Sequence, residues 1–167
     1  MRHRIAVVAP RVADAVKYTG GWLYDQVMAG WEVVVLVPGD EDVRPLDILG
    51  ATTLDLESAL SSPYGPVPQT VVVSAEIYER DTRIRAGLLE ALDQGLTKVT
   101  FWDEELPTEL DMKFGSTKHH LSRAAQVFKA HALAAASQPR ESAGATETFR
   151  VGGVSAGSSK RNLVAMN

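Results

Sequence analysis

Acidic side chains follow three apolar runs of the sequence, at points where buried strands are predicted to end. They are Asp40 to Asp42 after residues 32–37, Glu76 and Glu79 after residues 70–74, and Asp103 to Glu105 after residues 98–102. Carboxylates that converge either raise one another's pKa or hold a divalent cation through oxygen ligands. We therefore expect Asp40, Glu76, Asp103 and Glu104 to line a ligand site, with Mg²⁺ as its candidate cofactor. The alternative is a set of solvated loop carboxylates without a common focus, which is the commoner case.

A second candidate site is the turn Thr19-Gly20-Gly21, which precedes an apolar pattern at helical spacing. The first turn of a helix presents free N–H groups and the positive end of the helix dipole, and both attract phosphate or carboxylate groups. Glycine would let such an anion approach the backbone closely. The spacing differs from the G-x-G-x-x-G pattern of dinucleotide folds, so the alternative is a flexible loop before a helix.

The sequence contains no complete catalytic motif. It has no cysteine, which excludes thiolate nucleophiles and Cys-ligated metal sites. Residues 153–157 spell G-x-S-x-G, but residues 158–167 contain no Asp, Glu or His to complete a catalytic triad in the order that this motif requires. We therefore assign no catalytic residue from the sequence.

The elements that must position these residues alternate between strands and helices. Apolar runs predict strands at residues 4–9, 32–37, 51–56, 70–74 and 98–102, and a final helix is predicted from Ser116 to Ala136. This alternation predicts an α/β fold with a doubly wound, Rossmann-like or flavodoxin-like parallel sheet of about five strands. Ligands bind outside the carboxyl ends of the strands in such sheets, which is where the acidic residues fall.

The first 38 residues carry a more specific pattern. A strand ends in Ala9-Pro10, Gly20 and Gly21 open a helix, and Gly30-Trp31-Glu32-Val33 leads into a strand that ends at Pro38. The stretch 4–38 resembles the opening of the N-terminal domain of two-domain GT-B glycosyltransferases, which commonly have His in place of Trp31. The resemblance implies a Rossmann-like domain. It does not imply transferase activity, because that family holds its sugar-nucleotide donor largely in a second domain.

Charge is distributed unevenly along the chain. Residues 1–112 hold 9 basic and 19 acidic side chains (−10), whereas residues 113–167 hold 8 basic and 2 acidic ones (+6), and together they give the net charge of −4. The basic excess lies in the predicted final helix and in a Gly-, Ser- and Ala-rich stretch, 137–167, whose composition predicts weak order. The predicted organisation is one Rossmann-like domain at 1–136 followed by a basic tail at 137–167.

The basic segment predicts a docking surface. Its expected partner-binding residues are Lys118, Arg123, Lys129, Arg140, Lys160 and Arg161. They would contact an acidic protein or a second copy of the chain in a homo-oligomer. A sequence pI near 5.6 disfavours nucleic acid as the partner. The alternative is a solvated helix face with a soluble tail.

These observations favour a non-catalytic interaction or assembly protein on a Rossmann-like scaffold. The alternative is a small-ligand binding module for a nucleotide or sugar phosphate, or a Mg²⁺-assisted enzyme, with its site at the carboxyl ends of the strands. The apolar runs are shorter than the roughly 20 residues that span a bilayer, so no membrane partner is expected. The lack of cysteine suits a reducing compartment, and we expect a cytoplasmic protein.

Overall fold

The fold is built on one sheet. The computed structural model describes residues 3–61, 67–103, 105–139 and 143–153. Its sheet has seven strands in the order β3-β2-β1-β4-β5-β7-β6. The strands are β1 (Arg4–Val8), β2 (Glu32–Val37), β3 (Thr52–Asp55), β4 (Thr70–Val73), β5 (Lys98–Phe101), β6 (Gly115–His120) and β7 (Thr146–Gly153).

Strands β1 to β5 are parallel, and β7 runs antiparallel to both of its neighbours. The strand order reverses between β1 and β4, because β2 and β3 lie on one side of β1 while β4 and β5 lie on the other. In open α/β sheets such a reversal leaves a crevice outside the carboxyl ends of the two strands. Residues that directly follow β1 and β4 therefore line this crevice.

The helices cover both faces of the sheet. They are α1 (Val12–Met28), α2 (Arg44–Ile48), α3 (Leu56–Ser61), α4 (Ala75–Arg80), α5 (Thr82–Gln94), α6 (Thr108–Asp111) and α7 (Arg123–Ala135). Several ends follow from local chemistry. The Ser122 hydroxyl accepts a hydrogen bond from the Ala125 amide and caps α7, and Gly95, with φ of 70°, ends α5.

Alternate residues of the strands enter two separate hydrophobic clusters. Val7 of β1 and Val35 of β2 belong to the cluster that contains α1, α2 and α7. Val8 of β1 and Val73 of β4 belong to the cluster that contains α4, α5 and α6. Because successive side chains of a strand point to opposite faces, these clusters lie on the two sides of the sheet. This arrangement explains why β1, β2 and β4 are apolar along most of their length.

The α/β class predicted from the sequence is confirmed, but the strand count is wrong. The five parallel strands coincide with the predicted runs to within a residue or two, and the sheet continues through the antiparallel strands β7 and β6. Strand β7 comes from the segment 137–167, whose composition predicted weak order. The alternation of apolar runs could not indicate these strands, because β6 is exposed along most of its length.

The predicted start of the final helix is also wrong. Ser116, expected as its N-cap, lies in β6 beside Arg150 of β7. The helix begins at Arg123 instead, with Ser122 as its cap. Both serines precede a similar apolar pattern, so sequence spacing alone did not distinguish them.

Candidate functional site

A cavity with a volume of about 670 Å³ lies at the carboxyl end of β5. Because β7 is antiparallel to β5, its first residues reach the same edge of the sheet. The lining residues come from α1, the end of β5, α7 and the start of β7. They are Lys17, Tyr18, Trp102, Asp103, Glu105, Lys129, Ala143, Gly144, Thr146, Glu147 and Thr148. We call this cavity the β5 pocket.

An aromatic pair forms one wall of the β5 pocket. The rings of Tyr18 and Trp102 are stacked, with centroids 5.8 Å apart and planes inclined by 11°. Trp102 is buried, whereas Tyr18 is 39% exposed. The exposed Tyr18 ring is thus supported by a buried indole and presents a fixed, flat surface to the cavity, and such aromatic surfaces pack well against ring-shaped ligands.

Asp103 is the half-buried carboxylate of the β5 pocket. Its Oδ1 accepts a hydrogen bond from the Ala75 amide, the first residue of α4, at 2.8 Å. Burial raises the pKa of Asp103 above its ordinary value, the hydrogen bond from Ala75 lowers it, and the nearby charges of Glu76 and Asp14 raise it further. A carboxylate with a raised pKa, held in a fixed position at a cavity, is suited to accept and return a proton.

Arg11 links the carboxylates at the crevice between β1 and β4. Its Nη2 lies 2.7 Å from Asp14 and 2.7 Å from Glu76. Arg80 contacts the other Glu76 oxygen at 2.6 Å. Hydrogen bonding to Arg11 lowers the pKa of Glu76, and the same bond raises the pKa of Arg11. We call Arg11, Asp14, Glu76 and Arg80 the rim cluster.

A buried ion pair forms the floor of the β5 pocket. The Lys129 ammonium lies 2.8 Å from Glu147, and each side chain is only 2% exposed. The amides of Gly21 and Trp22, in the middle of α1, also donate to Glu147 at 2.8 Å. Burial raises the pKa of Glu147 against the opposing effects of Lys129 and these amides. The pair joins α1, α7 and β7 directly beneath the cavity.

The Thr19-Gly20-Gly21 turn does not begin a helix. All three residues are buried inside α1, which starts at Val12. The Gly21 amide does hold a carboxylate, but this carboxylate is the protein's own Glu147. A Cβ on Gly21 would overlap the Leu121 side chain. The glycines are therefore explained by the close approach of α7 and β7 to α1.

The four predicted acidic ligands do not share one site. Glu76 and Asp103 are neighbours at the crevice, because the Asp103 carboxylate accepts a hydrogen bond from the amide of Ala75, the residue before Glu76. Asp40 lies in a different cavity, beside Glu41 and Asp42 and the end of α7. Glu104 lies outside the described residues.

The predicted partner-binding residues are also dispersed. Lys129 is buried in its ion pair with Glu147, so its assignment to a docking surface is wrong. Lys118 is exposed on β6 rather than on a helix, and Arg123 is exposed at the start of α7. Arg140, Lys160 and Arg161 lie outside the described residues.

Three important groups were missed by sequence reasoning. Arg11 comes shortly after the first strand, at the sheet edge where ligands bind in such folds. It was missed because only acidic residues were considered at that edge. Glu147 was overlooked because it lies in a stretch without periodicity. Asp25, which bonds the His119 ring at 2.9 Å and the Ser122 hydroxyl at 2.6 Å, had no signal because its partners are about a hundred residues away.

The described residues do not supply a metal site. Within them, no group of three or more His, Asp or Glu side chains is arranged to hold a metal ion. Arg11 lies between Asp14 and Glu76 and neutralises them. The predicted Mg²⁺ therefore has no donor set in this part of the chain.

The fold is similar to that of known enzymes. The zinc-inhibited form of teicoplanin deacetylase Orf2 matches with a TM-score of 0.63 and 14% identity over 89% of this chain and 97% of that one. Dbv21, the A40926 pseudoaglycone deacetylase, matches with a TM-score of 0.61 and 19% identity over 90% and 97%. GalB, the 4-carboxy-2-hydroxymuconate hydratase of Pseudomonas putida KT2440, matches with a TM-score of 0.52 and 12% identity over 78% and 77%. No family model and no curated protein matches the sequence.

At these identities the likeness establishes the fold, and it overturns two predictions. The resemblance to GT-B glycosyltransferases is wrong, because the structural neighbours are deacetylases and a hydratase. The non-catalytic assembly protein is wrong as well, because neighbours that match nearly the whole chain are enzymes. These neighbours do not support nucleotide binding either.

One of these neighbours, the teicoplanin deacetylase Orf2, was solved in a zinc-inhibited form. The rim cluster does not fit zinc any better than Mg²⁺, since its carboxylates are bonded to guanidinium groups. Among the residues described, no helix is both long and apolar enough to cross a membrane.

Proposed function

We propose that the protein is a hydrolase-type enzyme that uses Asp103 to activate water against an acyl group of a sugar-bearing small molecule bound in the β5 pocket. The observation that carries the proposal is the Asp103 carboxylate, half-buried at a large cavity with its pKa raised by burial. The neighbours lend support at the level of chemistry, because deacetylases and hydratases both use water as a reactant.

The lining of the pocket suits a sugar ring. The volume of about 670 Å³ is typical of small-molecule sites. The Tyr18 and Trp102 pair offers a flat apolar surface, while carboxylates and the Lys17 ammonium offer acceptors and donors for hydroxyl and amide groups. An N-acetylated amino sugar combines these features with an acyl group that water can remove.

Each step of the reaction follows from these residues. The Asp103 carboxylate takes a proton from water as the hydroxyl oxygen attacks the acetyl carbon. Lys17, on the same pocket, stabilises the negative charge that develops on the carbonyl oxygen. The carbon–nitrogen bond then breaks, Asp103 returns the proton to the amine, and acetate and a free amino sugar leave. No step requires a metal.

The test compares Asp103→Asn with Glu105→Gln, a control that removes another carboxylate of the same pocket. Acetate release from N-acetylglucosamine glycosides and from acetylated glycopeptides is measured after EDTA treatment. We expect Asp103→Asn to lower kcat by about 10²-fold or more, the usual contribution of a general base, and Glu105→Gln to lower it far less. Wild-type kcat should fall as the pH drops through the raised pKa of Asp103, because protonation removes the base.

Equal turnover by wild type and Asp103→Asn contradicts the assigned role. Failure of every acetylated sugar to bind, measured by calorimetry with wild type and with Tyr18→Ala, contradicts the substrate class. The cytoplasmic location and self-association suggested by the sequence stay predictions.

A further inference from the structure

The rim cluster brings carboxylates together at the crevice, and the positive charges among them are those of arginine side chains. Asp14 from α1 and Glu76 from α4 both turn toward the crevice between β1 and β4, and their charges also act on Asp103. Three carboxylates from three elements at a ligand crevice would repel one another if nothing neutralised them. The Arg11 guanidinium supplies the positive charge.

The contacts of Arg11 occupy the oxygens that an ion would use. Its guanidinium bonds both oxygens of Glu76, at 2.7 and 3.3 Å, and reaches Asp14 at 2.7 Å. Arg80 adds a second guanidinium on Glu76. Arginine is always protonated in proteins, so it keeps its positive charge and cannot become a metal ligand by losing a proton, as histidine or lysine can.

The cluster is not primarily a source of stability. Arg11 and Glu76 are 49% and 39% exposed, and ion pairs at such exposure contribute little. Substitution of Arg11 should therefore leave the fold intact, so its effect on ion binding can be measured directly.

We infer that Arg11 replaces a divalent cation at the crevice and keeps this site free of metal. One protein of similar fold was solved in a zinc-inhibited form. In this chain the Arg11 guanidinium supplies the positive charge that a bound cation would bring to these carboxylates, so the protein should be insensitive to zinc and to chelators. The inference concerns ion binding only and does not depend on which molecule enters the β5 pocket.

The experiment titrates Zn²⁺ and Mn²⁺ into metal-stripped wild type, Arg11→Ala and Arg44→Ala, with binding followed by calorimetry. Arg44 is a matched control, because it forms a similar exposed pair with Asp42 near the end of β2. We expect Arg11→Ala to bind at least one ion about tenfold or more tightly than wild type, since removal of a like charge at contact distance in water is worth that order. Arg44→Ala should behave as wild type.

A further variant, Arg11→Ala with Asp14→Asn and Glu76→Gln, should lose the acquired binding. The inference is overturned if wild type binds either ion as tightly as Arg11→Ala, or if Arg11→Ala gains no affinity over Arg44→Ala. Because no turnover is measured, these results are independent of whether Asp103 acts as the proposed base.

Discussion

Glu147 is the buried carboxylate of β7 that contacts both α1 and α7. It accepts hydrogen bonds from two backbone amides of α1 and from the Lys129 ammonium, all at 2.8 Å. The Glu147 side chain is only 2% exposed, so these protein donors largely take the place of water. A buried charge of this kind is tolerated only while every partner is present.

Lys129→Met should therefore destabilise the protein by about 3–5 kcal/mol, because it leaves a buried carboxylate without its counter-ion. Urea unfolding measures the loss, with exposed Lys118→Met as the control. Burial raises the folded-state pKa of Glu147 above its ordinary value of 4.5. A raised pKa stabilises the folded state at low pH, and that contribution is lost as pH rises through the folded pKa, so the variant should be weakest at neutral and alkaline pH.

Glu147→Gln in the Lys129→Met background removes the unpaired charge and should recover part of the loss. Equal stability of Lys129→Met and Lys118→Met at pH 7 would show that the pair contributes nothing. If the loss of stability in Lys129→Met does not change with pH, the lysine contributes through packing of its aliphatic stem and not through its charge.

At the scale of elements, the contact between α1 and α7 depends on Gly21. Its missing Cβ leaves space for Leu121, which directly precedes the N-cap of α7. Gly20 lies against the Lys129 stem in the same contact. The two glycines cost helix propensity but allow α7 and β7 to approach closely enough for Glu147 to reach the α1 amides.

Gly21→Ala should destabilise the protein by about 1–3 kcal/mol, the usual cost of overpacking, in spite of alanine's better helix propensity. Gly87→Ala is the matched control, since Gly87 is exposed in the middle of α5 and a Cβ there meets nothing within 4 Å. That control should gain about 0.5–1 kcal/mol. Thermal unfolding of both variants gives the comparison, and a stabilised Gly21→Ala would contradict the close approach.

At the scale of the whole molecule, β7 connects two parts of the sheet. It pairs with β5 on one side and β6 on the other, and it carries Glu147 and the buried Phe149. Strand β6 pairs with no other strand of the described sheet. Removal of β7 would therefore separate β6 from the sheet and open the β5 pocket.

Deletion of residues 137–167 should abolish cooperative thermal unfolding and produce aggregation, because β5 becomes an exposed apolar edge. A chain that ends after Gly153 keeps all of β7 and serves as the control. Circular dichroism and light scattering report the outcome. A 1–136 chain with the melting temperature of the control would show that β7 is dispensable.

The parallel strands could be predicted from the sequence, because each is a local run of apolar residues. The contacts between residues far apart in the chain could not. Apolar runs such as Val33 to Val37 are long enough to indicate buried strands, so the five parallel strands and their acidic ends could be predicted. Strands β6 and β7 have no such run. The rim cluster and the Glu147 contacts join residues separated by 65 and 126 positions, and no local spacing encodes them.

The position of β7 also sets the order in which the molecule can be assembled. Strands β1 to β5 are synthesised in sequence and can pair with one another as they emerge, whereas β6 must wait for a strand that is made later and inserts between it and β5. Until β7 is in place, the buried Lys129 of α7 lacks the Glu147 carboxylate, and the β5 pocket lacks its floor. Completion of the β5 pocket therefore requires β7, which follows every other described strand along the chain.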